Sequence, residues 1–143
     1  GKRVIKLLVE NDIVVVAAGG GGIPVYIDRK NSWYEGIDAV IDKDLASAVL
    51  ARDVGAQELL ILTAVEKVAL NFKKPEQKLL SRLSLSDAKR FMAQGHFPPG
   101  SMEPKIQAAI NFLEWGGERV IITSIEKSAD AVRGKAGTTI VPG

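Results

Sequence analysis

The sequence predicts an α/β fold with an open, mainly parallel sheet that carries helices on both faces. Short aliphatic runs without alternation, such as residues 58–63 and 119–123, are typical of strands buried on both faces of a parallel sheet. Helical segments that stop at glycine lie between such runs. Because strands alternate with helices along the 143 residues, we predict a single domain spanning residues 1–143.

The amino-terminal elements are predicted as a helix, a strand and a hairpin. Apolar residues at helical spacing start at Val4, as though a helix were entered partway, so we expect the chain to be a fragment or a processed half. Residues 12–18 form a β-branched run that predicts a buried strand, ended by four glycines at 19–22. Polar residues within 26–34 predict an exposed hairpin.

The middle of the chain predicts one passage from helix to strand. Residues 44–54 are expected to form a helix stopped by Gly55, and residues 58–63 the next buried strand. The polar segment 72–78 is predicted to be an exposed loop within the domain, which could also flank a ligand.

The carboxyl-terminal part repeats the alternation of helix and strand. A capping pair and glycine stops delimit its helices. The predicted elements are helices at 84–94, 102–115 and 125–132 and strands at 119–123 and 138–141.

Composition excludes several classes of function. With 19 basic and 17 acidic residues spread along the chain, no basic stripe suits a nucleic-acid backbone. The absence of cysteine excludes thiolate metal sites and a cysteine nucleophile, and we expect the single histidine, His96, to be structural rather than a base. No apolar run approaches the roughly 20 residues that span a bilayer, so we predict a cytoplasmic protein without a metal site of its own.

The four consecutive glycines suit a close approach of the backbone to an anion. Glycine lacks Cβ and tolerates positive φ, so its backbone N–H groups can reach a ligand. The run is not a dinucleotide fingerprint, because Pro24 stands where the third glycine belongs, and no G-K-[ST] follows to make a P-loop. A plain tight turn is the alternative explanation. The candidate phosphate-binding residues are Gly19, Gly20, Gly21 and Gly22.

Two lysines lie at predicted junctions between a turn and a helix. Lys43 stands between Asp42 and Asp44 at the start of the helix predicted at 44–54. Lys105 follows Gly100 and lies near the start of the helix predicted at 102–115. Unpaired N–H groups and the helix dipole make such positions favourable for phosphate. Phosphoryl transfer needs cations to hold the moving charge and an acid to orient them. The alternative is a pair of solvated lysines, with Asp42 or Asp44 serving only as a helix cap.

Together these segments resemble carbamate kinase, a branch of the amino acid kinase superfamily. The resemblance is carried by five segments along the chain: Gly-Gly-Gly-Gly-Ile-Pro-Val at 19–25, Ala-Val-Ile-Asp-Lys-Asp-Leu-Ala at 39–46, Gly-His-Phe at 95–97 with Gly-Ser-Met at 100–102, Pro-Lys at 104–105, and Trp-Gly-Gly-Glu-Arg at 115–119.

The resemblance implies reversible phosphoryl transfer between ATP and carbamate, with Mg²⁺ bridging the nucleotide phosphates and ATP formation as the usual direction. It implies that Lys43 and Lys105 stabilise the transferring group and that Asp44 orients them. The loop from Gly19 to Gly22 is implied to border the carbamoyl phosphate side. A homodimer in the full-length form is also implied. The adenine and ribose pocket is implied to be lined by Thr63, Ala64, Val65, Ala69 and Met102.

The resemblance extends only to the carboxyl-terminal, nucleotide-binding half of the family, whose members are about twice as long. The absent half carries a glycine-rich loop and a further lysine of the active site. Two alternatives therefore stay open: a catalytically silent nucleotide-binding or assembly module, and a kinase for another small carboxylate or carbamate-like acceptor.

Overall fold

The computed structural model describes residues 1–143 and consists of five helices and eight strands. In chain order the elements are α1 (Lys2–Glu10), β1 (Val25–Ile27), β2 (Tyr34–Gly36), α2 (Lys43–Val54), β3 (Glu58–Thr63), β4 (Ala69–Leu70), β5 (Lys78–Leu79), β6 (Arg82–Ser84), α3 (Leu85–Ala93), α4 (Met102–Glu114), β7 (Arg119–Ser124), α5 (Ser128–Val132) and β8 (Thr138–Val141).

The main sheet has four strands in the order β3-β7-β8-β6. The β3–β7 pair is parallel and in register from Glu58 opposite Arg119 to Thr63 opposite Ser124. The β6–β8 pair is also parallel, whereas β7 and β8 run antiparallel. Two of the three pairings are parallel, so the prediction of a mainly parallel sheet is confirmed.

Helices cover both faces of this sheet. Val120 and Ile122 of β7 belong to the core cluster, together with residues of α2, α3 and α4. Ile121 and Thr123 alternate with them along the strand and are also buried, on the face where α5 contacts β7. Burial on both faces explains why this strand is a continuous aliphatic run instead of an alternating one.

Two antiparallel hairpins lie outside the main sheet. The predicted exposed hairpin at 26–34 is confirmed, because β1 pairs with β2 from Val25 opposite Gly36 to Ile27 opposite Tyr34. The second hairpin, β4 with β5, was not predicted, and its tip is formed by residues 71–77, which include most of the loop predicted at 72–78. Its strands are two residues long, too short to give a periodic signal.

The strand predicted at 12–18 is wrong for this structure. These residues belong to no helix or strand. Val14 is 94% exposed and Val16 is 100% exposed. The β-branched run indicates a strand suited to burial, but no strand of the structure pairs with it, and of its valines only Val15 is half-buried. No helix of the structure is long and apolar enough to cross a membrane.

Helix α1 packs against α2 without fully burying any of its residues, and an ion pair also joins the two helices. Lys2 Nζ lies 2.9 Å from Asp53 Oδ2, and Arg52 also donates to this carboxylate. The hydrogen bonds from Lys2 and Arg52 lower the pKa of Asp53 below its usual value.

The lowered pKa predicts a pH-dependent attachment of α1. A carboxyl group with a lower pKa in the folded state stabilises that state above its unfolded pKa of about 3.9 and loses this contribution as the pH falls through the folded value. We therefore expect amide protection in α1 to be lost on acidification to a pH below the unfolded pKa of aspartate, relative to pH 6, before the core helices open. Hydrogen exchange of α1 compared with α4 measures this, and Asp53→Asn should abolish the pH dependence in α1.

Candidate functional site

A largely buried ion pair joins the amino-terminal ends of α2 and α4. Lys105 Nζ donates to Asp44 Oδ2 at 2.7 Å, and each side chain is only 11% exposed. Asp44 lies in the first turn of α2 and Lys105 in the first turn of α4, and the two helices pack against each other. A buried charge is stable only when it is paired, so the carboxylate and the ammonium group hold each other in place.

Lys43 approaches the same carboxylate from the solvent side. Its Nζ lies 3.6 Å from Asp44 Oδ2, and its side chain is 65% exposed. The structure thus brings together the three residues predicted to be catalytic, with Lys105 largely buried and Lys43 exposed. This arrangement concentrates two positive charges around a single acid.

The capping role belongs to Asp42. Its Oδ1 accepts hydrogen bonds from the backbone N–H groups of Asp44 and Leu45, at 2.8 and 3.0 Å. Of the two caps considered from the sequence, Asp42 is therefore the N-cap of α2. The carboxylate of Asp44 is left available for the two lysines.

A cleft of about 240 Å³ opens at the carboxyl end of β3, where ligands of open α/β sheets usually bind. Five of its nine lining residues are hydrophobic. The lining contains all five residues predicted for the nucleotide pocket: Thr63, Ala64, Val65, Ala69 and Met102.

Four further residues line this cleft that sequence reasoning did not assign to it: Lys67, Phe72, Pro98 and Ser101. Lys67 is half-buried and donates to Ser81 Oγ at 2.8 Å. Phe72 begins the polar segment at 72–78, whose position beside a ligand was left open. Ser101 immediately precedes Met102, so its proximity to the cleft follows once α4 is placed.

The cleft and the ion pair meet at the amino terminus of α4. Met102 is the first residue of this helix and lines the cleft, and Lys105 is one turn further on. The side chain of the N-cap residue Ser101 makes no capping hydrogen bond. The helix therefore presents the positive end of its dipole between the cleft and the lysines.

The structure does not bring the four predicted phosphate-binding glycines to the cleft. None of Gly19, Gly20, Gly21 and Gly22 is among the residues that line it. Gly19, Gly20 and Gly22 are exposed, and a Cβ built on any of these three would meet nothing within 4 Å. This differs from the sequence expectation, because glycine composition indicates room for a ligand but not which surface the loop faces. The role of Gly19, Gly20 and Gly22 toward phosphate therefore stays a prediction.

Gly21 alone of the four makes a close contact, and that contact is with the segment that leads to the ion pair. It has a φ of +115°, and a Cβ placed on it would lie 2.8 Å from Ile41 Cγ2. Ile41 immediately precedes the cap residue Asp42. The glycine loop therefore packs beside the start of α2, which gives Gly21 a structural reason to be glycine.

The contact at Gly21 predicts that a methyl group there is not tolerated. Gly21→Ala would place a methyl group against Ile41 in a backbone conformation that favours glycine, so we expect a destabilisation of about 1 to 3 kcal/mol. Gly20→Ala is the matched control, because a Cβ at Gly20 meets nothing within 4 Å. Urea unfolding of both variants measures the difference, and equal midpoints would show that the loop does not depend on this contact.

His96 lies outside this cleft. Its ring packs edge-on against Phe91 with centroids 5.6 Å apart, and its backbone N–H donates to the carbonyl of Phe91 at 3.1 Å. These contacts suit the structural role expected from the sequence. No group of three or more histidine, aspartate or glutamate residues is arranged to hold a metal ion.

Comparison with a family model and with known proteins gives a consistent result. Residues 2–124 match the model of the amino acid kinase family. The carbamate kinase-like protein YahI of Escherichia coli is 51% identical over 137 residues, and the carbamate kinase of Thermococcus kodakarensis is 47% identical over 138 residues. Each match covers 96% of this chain and 43% of the relative, so the chain spans less than half the length of these relatives.

Solved structures agree with the sequence comparison. The structure of carbamate kinase from Giardia lamblia bound to AMP-PNP superposes with a TM-score of 0.94 at 42% sequence identity. The superposition covers 99% of this chain and 49% of that one.

Proposed function

The chain belongs to the amino acid kinase family, and from that membership we propose that it forms the nucleotide-binding half of a carbamate kinase-type phosphotransferase. The reaction is reversible transfer of a phosphoryl group between ATP and carbamate. In the direction of ATP formation, an oxygen of the ADP β-phosphate attacks phosphorus, and the bond from phosphorus to the carbamate oxygen breaks. The observation that carries the proposal is the buried Lys105–Asp44 pair at the helix end that also borders the cleft.

The two lysines are proposed to act on the moving phosphoryl group. Its transition state is loose, with charge spread over the equatorial oxygens, and positioned cations stabilise that charge. Lys105 is held at a fixed place, whereas the exposed Lys43 can move toward the phosphate when substrates bind. Asp44 is proposed to fix the orientation of Lys105 and to limit the range of Lys43.

The cleft at the carboxyl end of β3 is proposed to bind the adenine and ribose. Its mixed lining of small apolar residues and Met102 suits a flat base, and AMP-PNP is bound in the Giardia relative. Placed there, a nucleotide would direct its phosphates toward the amino terminus of α4 and the lysines.

Magnesium fits this site as an ion bound to the phosphates of the nucleotide. Asp44 Oδ2 is paired with both lysines and Asp42 Oδ1 caps α2, and no group of three or more acidic or histidine side chains is arranged to hold a cation. Mg²⁺ commonly binds substrate phosphates and keeps several waters. We propose that it arrives on ATP or ADP and neutralises phosphate charge there.

The setting of the reaction rests on the resemblance alone. We propose a cytoplasmic enzyme of arginine metabolism that works mainly toward ATP and assembles as a homodimer in full-length form. Sedimentation of a full-length form would test the dimer.

A catalytically silent nucleotide-binding or assembly module is the second candidate. The observation that favours it is the coverage of the relatives, because more than half of their length has no counterpart here. Another small carboxylate or carbamate-like acceptor also stays open, since two Escherichia coli relatives at 51% and 50% identity are named carbamate kinase-like.

A chimera separates transfer from silent binding. In the Thermococcus kodakarensis carbamate kinase, the matching 138 residues are replaced by residues of this chain. We expect the chimera to form ATP from carbamoyl phosphate and Mg–ADP. A folded chimera that binds Mg–ADP without turnover would support the silent module instead. The part of the chimera retained from the Thermococcus enzyme is expected to contact the acceptor. The experiment therefore tests whether the residues of this chain support phosphoryl transfer, and it does not test which acceptor this protein uses.

Filling the cleft is expected to abolish nucleotide binding without unfolding the protein. Ala64 is exposed on the cleft wall, so Ala64→Trp places an indole in the space of about 240 Å³. We expect at least about a 30-fold loss of affinity for fluorescently labelled ADP, which is about 2 kcal/mol. Ala93→Trp, an exposed position at the end of α3, is the matched control. Unchanged binding by the Ala64 variant would place the nucleotide elsewhere.

A further inference from the structure

A single cation lies in the otherwise uncharged cleft at the carboxyl end of β3. Of the nine residues that line this cleft, Lys67 is the only one with a charged side chain. It is half-buried, whereas most lysines of folded proteins are exposed. A charge in such a position needs polar partners, so the hydrogen bonds of Lys67 indicate what the side chain can bind.

The protein satisfies only part of the hydrogen-bonding capacity of Lys67. Its Nζ donates to Ser81 Oγ at 2.8 Å, and it forms no ion pair with a carboxylate. An ammonium group carries several N–H donors and no acceptor, so Nζ keeps donors that Ser81 does not use. The bond to Ser81 restricts a long side chain that lines the cleft. Lys67 can therefore donate to an acceptor of a bound ligand.

Lys67 lies toward the side of the sheet away from the buried ion pair. Asp44 of that pair belongs to α2, which packs on the edge strand β3. Ser81, the partner of Lys67, immediately precedes β6, the edge strand on the other side. The neighbouring Val68 donates its backbone N–H to Thr138 at the start of β8, the strand beside β6. Adjacent strands lie about 4.8 Å apart, so β3 and β6 are separated by about 14 Å.

This placement indicates which part of a nucleotide Lys67 meets. With the phosphates directed toward the amino terminus of α4 and the ion pair, the base occupies the part of the cleft on the opposite side. The ring nitrogens of adenine accept hydrogen bonds, whereas its amino group donates them. Because an ammonium group can only donate, it pairs with a ring nitrogen and not with the amino group.

We propose that Lys67 recognises the purine base of the bound nucleotide by donating a hydrogen bond from Nζ to a ring nitrogen, while Ser81 holds the lysine side chain in place. This inference rests on the proposed nucleotide site and adds to it a residue for base recognition. Lys67 is not assigned to the moving phosphoryl group, so its contribution is to nucleotide affinity.

Ligands with and without a base test this contact. Displacement of fluorescently labelled ADP measures the affinity of the 143-residue chain for ADP and for ribose 5-diphosphate, each with Mg²⁺. Lys67→Met removes a hydrogen bond from a charged group, so we expect at least about a 10-fold loss of affinity for ADP and less than about a twofold change for ribose 5-diphosphate. Lys78→Met is the matched control, because Lys78 is an exposed residue of β5 outside the cleft. It should change neither affinity.

The outcomes separate this inference from the proposed function. ADP binding that Lys67→Met leaves unchanged, or equal weakening of both ligands, would overturn base recognition by Lys67 and leave the nucleotide site standing. No ADP binding by the folded, unaltered chain would overturn the nucleotide site and this inference together. If Lys67→Met does not fold, the unaltered chain is titrated with the 1-, 3- and 7-deaza analogues of ADP, each of which lacks one ring nitrogen. Affinities equal to that of ADP for all three analogues would contradict the contact.

Discussion

Replacement of Lys105 by methionine is expected to lower the kcat of phosphoryl transfer in the Thermococcus chimera by about 1,000-fold, or about 4 kcal/mol. The reason is that Lys105 is held by Asp44 at the end of α4 and is proposed to contact the phosphoryl group most strongly as its charge moves. The affinity for Mg–ADP is expected to change less than about threefold, because a contact made mainly in the transition state affects kcat more than ground-state binding. Steady-state kinetics and calorimetry measure the two effects separately.

Lys89→Met is the matched control for this prediction. Lys89 lies on α3 and forms a surface ion pair with Glu114 of α4, away from the cleft at the other end of that helix. Its replacement should leave kcat unchanged. Equal losses of kcat and nucleotide affinity in the Lys105 variant would contradict a role specific to the transition state.

Replacement of Asp44 by asparagine is expected to destabilise the isolated chain by about 3 to 5 kcal/mol. The change leaves the ammonium group of Lys105, which is 11% exposed, without its charged partner. Lys43 cannot compensate, because it carries the same charge. Urea unfolding measures the loss as a lower midpoint at an unchanged slope.

Two variants separate loss of pairing from loss of a helix-end charge. Asp87→Asn removes a first-turn acid of α3 that pairs with the exposed Arg90, and it should cost less than about 1 kcal/mol. The double variant Asp44→Asn with Lys105→Met removes both buried charges and should recover most of the stability but none of the activity. A double variant no more stable than Asp44→Asn alone would contradict the pairing explanation.

The sequence predicted the part of the fold that packs upon itself. The strand at 58–63 is a continuous aliphatic run and the helix α4 ends clearly at glycine, and both elements occur in the structure. The strand at 119–123 matches β7 to within one residue. Pattern and burial agree in α4 and β7, whereas the expectation of a buried strand at 58–63 is wrong, because β3 lies at the edge of the sheet and leaves Leu60 and Leu62 exposed.

The prediction failed at residues 12–18 because periodicity reports what a segment is suited to bury and not whether a partner is present. Val16 is suited to a sheet interior but is fully exposed here. The two-residue strands β4 and β5 were missed for another reason, since they are too short for a pattern and are fixed by tertiary contacts.

For the candidate site, the sequence predicted the residues but not their contacts. The positions of Lys43 and Lys105 at turn-to-helix junctions follow from the cap and turn residues beside them. Their convergence on Asp44 requires the packing of α2 against α4. Spacing along the chain does not reveal a contact between residues 61 positions apart. Lys67 and Pro98 reach the cleft through loops, for which sequence gives little directional information.

The glycine loop shows that the composition of a loop does not predict which surface it faces. Its composition predicts a backbone that can approach an anion, yet Gly19 and Gly22 lie exposed and outside the cleft. Only Gly21 has a neighbour, Ile41, that explains the absence of a side chain. The direction in which a loop faces is set by tertiary packing, which its own residues do not encode.

The most direct test of the central claim is a calorimetric titration of this 143-residue chain with Mg–ADP. The proposed nucleotide half predicts saturable binding with a stoichiometry of one, abolished by Ala64→Trp and retained by Ala93→Trp. The absence of binding by a folded sample, or binding that Ala64→Trp leaves unchanged, would contradict a nucleotide site in the cleft at the end of β3.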